Sequence, residues 1–200
     1  MSNVKKGMSM QKALSIIILL LSLSGCWNTD TEHVSTAEIE IIDGHTLPPD
    51  PGEAGKETLL GIDSNNDGVR DDVERWIYKT YNHPIERAIF MQTARAYQVV
   101  ITDPEKAREN VQVMHNAVDC ESYWSLNAKE SNELFWLGEY RSLSKEIKPI
   151  QFNTAERYLA YEKYNQNLSG GVYGSSGIKD WKNKCDFNAS ELIGHFNEAD

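Results

Sequence analysis

From Val73 onward the apolar residues recur three and four positions apart. Val73, Trp76, Ile77 and Tyr81 lie at i, i+3, i+4 and i+8, and Ile85, Ala88, Ile89, Ala96 and Val100 extend the stripe past His83-Pro84. That period puts them on one helical face, and a proline suits the first turn of a helix. Asp103-Pro104-Glu105 reads as a second start, with Asp as N-cap and Pro at N1, leading to Ala107, Val111, Met114 and Val118. Asn127-Ala128-Lys129-Glu130 has a capping-box spacing ahead of Leu134, Trp136, Leu137, Tyr140, Leu143 and Ile147, with Pro149 as the stop. Asn153-Thr154-Ala155-Glu156 repeats the device before Gly170-Gly171, and Asn188-Ala189-Ser190-Glu191 opens a short last helix. No segment keeps a period of two. The fold class predicted is all-α, a compact bundle of five or six helices over residues 59–200, without internal repeats.

Upstream, the pattern fades. Residues 26–58 are rich in Thr, Glu, Gly and Pro, and Leu47-Pro48-Pro49-Asp50-Pro51-Gly52 holds three of the six prolines. Proline fixes φ and removes a donor, so this stretch is expected to be an extended tether spanning roughly 30 Å if flexible. Ile39, Ile41 and Ile42 could form one short strand, with no clear partner nearby. At the start, Lys5, Lys6 and Lys12 precede the run Ala13–Leu23 and then Leu23-Ser24-Gly25-Cys26. Eleven apolar residues rise only about 16 Å as a helix, against a hydrocarbon layer of roughly 30 Å, so a cleaved signal over 1–25 is expected rather than a permanent span.

Leu23-Ser24-Gly25-Cys26 after such a run resembles the bacterial lipobox. The resemblance implies thioether lipidation of Cys26, cleavage before it and acylation of the new amino group, palmitate being a usual chain. The alternative is a secretory peptide with a cysteine there by chance. Several acyl chains give near-permanent attachment, since each buried CH₂ contributes about 0.8 kcal/mol. Trp27 in place of Asp after the acylated position resembles the outer-membrane sorting pattern. The expected location is therefore the bacterial cell envelope, lipid-anchored at the outer membrane and facing the periplasm. Lipidation of Cys26 would leave Cys120 and Cys185 as a pair in an oxidising compartment. A disulfide between them would stabilise by about 4 kcal/mol on the chain-entropy estimate; two separate buried thiols are the alternative.

Charge narrows the partners. Twenty basic residues against thirty acidic give −10, and cleavage of a leader with three lysines and no acid deepens this to −13. Nucleic acid is excluded, because phosphate-backbone binding needs clustered basic surface. A cation suits this chain better. Asp63-Ser64-Asn65-Asn66-Asp67-Gly68-Val69-Arg70-Asp71-Asp72-Val73-Glu74 places Asp at 1, Asn at 3, Asp at 5, Gly at 6 and Glu at 12 of a twelve-residue loop. It resembles the calcium loop of the EF-hand family, over these residues and the following helix. The resemblance implies Ca²⁺ held by Asp63, Asn65, Asp67, the Val69 carbonyl, Asp71 directly or through water, and Glu74 bidentately. Two features depart from the family: residues 51–62 carry three glycines and make a poor incoming helix, and loop position eight is Arg70 rather than apolar. No second loop occurs in the sequence. An Asx-rich turn without metal, and magnesium in place of calcium, are the alternatives.

The remaining candidates are weaker. The stretch 170–177 is glycine-rich but lacks a phosphate-loop ending, and the five histidines have no zinc spacing. Tyr158, Tyr161, Tyr164, Tyr173 and Trp181 could line a groove for sugar or peptide, or pack in the core. Glu121-Ser122 resembles the catalytic Glu-Ser of lytic transglycosylases without the rest of that family's pattern. The expected function is thus a calcium-binding envelope lipoprotein with a structural or protein-interaction role toward an envelope protein or the cell wall. Peptidoglycan cleavage is the rival class.

Overall fold

The computed structural model describes residues 39–129, 133, 135–138, 143–174 and 176–198. The lipobox, Cys26 and residues 26–38 of the expected tether lie outside these residues, as do Leu134 and Tyr140. The described chain is mostly helical: α1 is Asp71–Thr80, α2 Pro84–Thr102, α3 Ala107–Ser122, α4 Leu143–Gln151, α5 Ala155–Leu168 and α6 Ala189–Glu198. Short 3₁₀ turns occupy Gly52–Lys56, Pro104–Lys106 and Ile178–Lys184.

The α2 helix is the axis of the fold. Ile85, Ile89, Phe90, Met91, Ala94, Ala96, Tyr97, Val100 and Ile101 are buried around much of its circumference, as expected of a helix covered on several sides. It packs against α1, α3, α4, α5 and α6. The main core joins Val73 and Ile77 of α1 to this helix, to Cys120, Tyr123 and Trp124 at the end of α3, and to Leu143 and Ile147 of α4. Tyr97, Phe152 and Tyr161 extend it with ring contacts at 4.4–5.9 Å. Cys120 and Cys185 form a disulfide with Cα atoms 4.9 Å apart, tying α3 to the segment before α6.

Several expectations shift. Residues 39–58, read as tether, carry a β-hairpin and the first 3₁₀ turn. Strand β1 (Ile41–Ile42) pairs antiparallel with β2 (His45–Thr46), Ile41 opposite Thr46 and Ile42 opposite His45. Asp43 and Gly44 both have positive φ, +49° and +78°, the conformation that two-residue hairpin turns favour and that Asp-Gly supplies. The strand partner thus lies immediately downstream.

The helix expected to open at Asn127 does not. Helix α3 runs into a π turn over Tyr123–Asn127, where Ala128 N–H donates to Tyr123 O at 2.9 Å. Asn127 therefore ends a helix rather than starting one, and α4 begins at Leu143 with Pro149 inside it. The start at Asp103 keeps its place, Asp103 standing in the N-cap position with Pro104 next, but the first turn is 3₁₀ before α3 becomes α-helical at Ala107, and the Asp103 carboxylate pairs with Lys106 at 2.9 Å. Thr154, not Asn153, caps α5, accepting from Arg157 N–H at 3.2 Å. At α6 Asn188 caps, its Oδ1 accepting from Ser190 N–H, and its Nδ2 donates to Glu191 Oε1, so the two residues of the expected box meet side chain to side chain.

Candidate metal centre

The acidic loop leads directly into α1. Asp71 N–H donates to Ile62 O at 2.8 Å, bringing the two ends of the loop together. Inside it, Asp63 accepts from Asp67 N–H (3.2 Å) and Gly68 N–H (3.0 Å), Asn65 Oδ1 from Asp67 N–H (3.2 Å), and Asp67 Oδ1 from Val69 N–H (2.8 Å). Asp71 Oδ1 accepts from Ser64 N–H at 2.8 Å. Short carboxylates and amides fold the chain this way because they satisfy its own backbone donors. Gly68 sits at φ +85°, which a side chain would strain.

Glu74 lies one turn into α1 and is fully buried. Its Oε1 is 2.6 Å from His45 Nε2, and its Oε2 accepts from Asn65 Nδ2 at 3.0 Å. Burial, helped by repulsion from Asp67, pushes the Glu74 carboxyl above the usual carboxylate range, against the hydrogen bond from His45. Burial and the Asp63 charge push Asp67 up as well. These groups share one crowded, charge-poor space and resist carrying their charges together.

The neighbouring arginines make their direct bonds to groups other than the six expected ligands. Arg70 is buried and donates to Gln151 O (2.8 Å) and Ile150 O (3.1 Å) at the C-terminal end of α4, while Nε and Nη2 grip Asp72 at 2.9 and 3.0 Å. Position eight of the loop is thus a helix-end anchor. Arg75 donates to Pro48 O and Glu40 at 2.7 and 2.5 Å. Arg95, which sequence reasoning passed over, offsets the charge of Asp67 from a distance and pairs with Asp186 at 2.7 Å.

As placed, no three His, Cys, Asp or Glu side chains among the described residues converge closely enough to grip a metal. The loop oxygens are closed onto its own N–H groups and, at Glu74, onto His45 and Asn65. The donor set nevertheless fits a hard cation: carboxylates, one amide and a main-chain carbonyl, all oxygen, with no thiolate among the six expected ligands. Asp63, Asn65, Asp67 and Glu74 are linked through hydrogen bonds to one another and to the Asp67 N–H, whereas Asp71 accepts from Ser64 N–H.

His45 is the residue that sequence reasoning missed. It lies 29 positions from Glu74, so no local spacing could reveal the contact; the Asp43-Gly44 turn was the available signal.

The other candidates have structural surroundings. Glu121 Oε1 accepts from Leu143 N–H at 3.3 Å, at the start of α4. His83 caps α2, its Nδ1 accepting from Ile85 N–H at 3.2 Å. Tyr164 is buried, Tyr161 and Trp181 are half-buried against the core, Tyr173 is half-buried, and Tyr158 is exposed. In the glycine-rich stretch, Ser176 N–H and Oγ donate to buried Asp119. Among the described residues no helix is long and apolar enough to cross a membrane. Compared with protein families, curated proteins and solved structures, the chain matches none.

Proposed function

We propose that this chain is a calcium-binding lipoprotein of the bacterial cell envelope, anchored through acylated Cys26, in which the ion stabilises the helical domain for a structural or protein-interaction task. The observation that carries the reading is the concentration of acids in one short loop, with Glu74 buried and the nearby arginines bonded to groups other than the expected ligands. Asp63, Asn65, Asp67, Asp71, Glu74 and the Val69 carbonyl would hold Ca²⁺, which supplies the positive charge that these oxygens otherwise lack. The chain's own part is to fix the loop ends through Asp71 N–H and Ile62 O and to seat Glu74 on α1.

An ion that binds the folded state alone stabilises it by about 2.7 kcal/mol at a hundred times Kd. For a chain of this size that raises the melting temperature by roughly 5–10 °C. Calorimetry of the full chain with millimolar calcium should show this rise, and a chelator should reverse it. Glu74→Gln and Asp63→Ala should each abolish the response. A wild-type curve indifferent to calcium and chelator sinks the proposal. Anchoring has a separate test: radiolabelled palmitate should enter the wild type and not Cys26→Ala.

A further inference from the structure

The hairpin 41–46 sits on α1, the helix that carries Glu74. Glu40 pairs with Arg75 at 2.5 Å and Lys79 at 3.0 Å, and Asp43 with Arg87 at 2.6 Å. The His45 ring stacks on Tyr78 at 4.0 Å while its Nε2 meets Glu74. Leu47, at the hairpin's end, is buried. One face of α1 therefore grips the hairpin through Arg75, Tyr78 and Lys79, and the same helix presents the last residue of the acidic loop. With Glu74 ionised, as an ion requires, its oxygens only accept, so His45 Nε2 carries the hydrogen. A carboxylate has about four lone-pair sites, so one hydrogen bond from the imidazole leaves room for a cation while fixing the carboxylate plane.

We infer that His45 is a positioning residue for Glu74, making the hairpin part of the calcium site, so that ion occupancy and hairpin seating reinforce each other. This rests on the calcium reading above. The reinforcement is reciprocal: whatever factor the seated hairpin adds to ion affinity, the ion returns to hairpin seating.

Two measurements on the full chain test it. Calcium affinity by calorimetric titration should weaken about tenfold in His45→Ala, the loss typical of a group that orients a metal ligand, and recover in part in His45→Gln, which keeps an N–H donor. Asp43→Asn, which loosens the hairpin at Arg87 without touching the loop and suits the positive φ of that turn position, should weaken affinity by a smaller factor. Circular dichroism checks that each variant stays helical. Independently, hydrogen exchange at the hairpin amides, including Leu47 N–H bonded to Glu40 O at 2.8 Å, should slow when calcium saturates the wild type. If calcium binds but hairpin exchange is unchanged or faster, or if His45→Ala and Asp43→Asn bind as tightly as wild type, the coupling is overturned and the calcium reading stands. If the wild type binds no calcium, both fall.

Discussion

Arg157 is fully buried, yet its guanidinium donates to four oxygens: Leu59 O at 3.0 Å, Thr58 O at 3.0 Å, Gly55 O at 2.5 Å and Asn153 Oδ1 at 2.5 Å. A planar fork serves four acceptors; an ammonium on a flexible stem does not. Arg157→Lys should therefore cost about 3 kcal/mol in urea unfolding, because buried carbonyls lose their donors. Beside it, Gly61 sits at φ +70°, and a Cβ there would collide with Arg70 Cδ and Arg157 Nη2. Gly61→Ala should cost about 2 kcal/mol or more in the same measurement, through backbone strain and displaced arginines. In the sequence Arg70 reads as a departure from a motif and Arg157 as one more polar helix residue. Their task comes from carbonyls about a hundred residues away in the chain for Arg157 and about eighty for Arg70, which no periodicity displays. The same distance hid His45, whereas the acidic loop was legible because its spacing is contained within twelve residues.

At the scale of elements, legibility followed length. Helices α1, α2 and α5 have long apolar stripes or caps, and their stripes or caps place them to within a turn. The hairpin was not read because strands of two residues are too short to display alternation. The helix expected at 127 failed for a different reason: Asn-Ala-Lys-Glu supplies local capping chemistry, but Trp124 and Ala128 are buried in the core and hold the end of α3 there. Packing outweighed the cap. The α2 start carries a pH signature. Burial holds the His83 imidazole below its usual value, stacked on Phe135 at 4.0 Å, and its neutral Nδ1 caps Ile85 N–H. The unfolded chain takes up a proton near pH 6.5 and the folded one resists, so between the folded value and about 6.5 the unfolded state binds more protons. Stability should be full above that window and fall as pH drops through it. His83→Asn keeps a capping oxygen and should flatten this part of a stability–pH curve; a variant curve parallel to wild type would refute the assignment.

Across the whole molecule, the disulfide joins α3 to the segment leading into α6 across 65 positions. Replacing both Cys120 and Cys185 by serine should cost about 2–5 kcal/mol in chemical unfolding, and amide exchange should quicken first in α6. An equally stable double variant would show that packing of Phe187, Ala189 and Ile193 on the core suffices. The predominantly helical class followed from periodicity; the identity of the central helix did not, because α2 is apolar on several faces and a stripe alone does not say how many sides will be covered. One further consequence concerns Arg70. Its guanidinium is sunk among the last carbonyls of α4 and the sequence holds one such loop, so the calcium occupancy proposed above should trace a simple hyperbola with a Hill slope of about one. Filling the proposed site would take about two decades of ion concentration, so calcium would act on the helical domain as a graded ballast where paired loops would give a trigger.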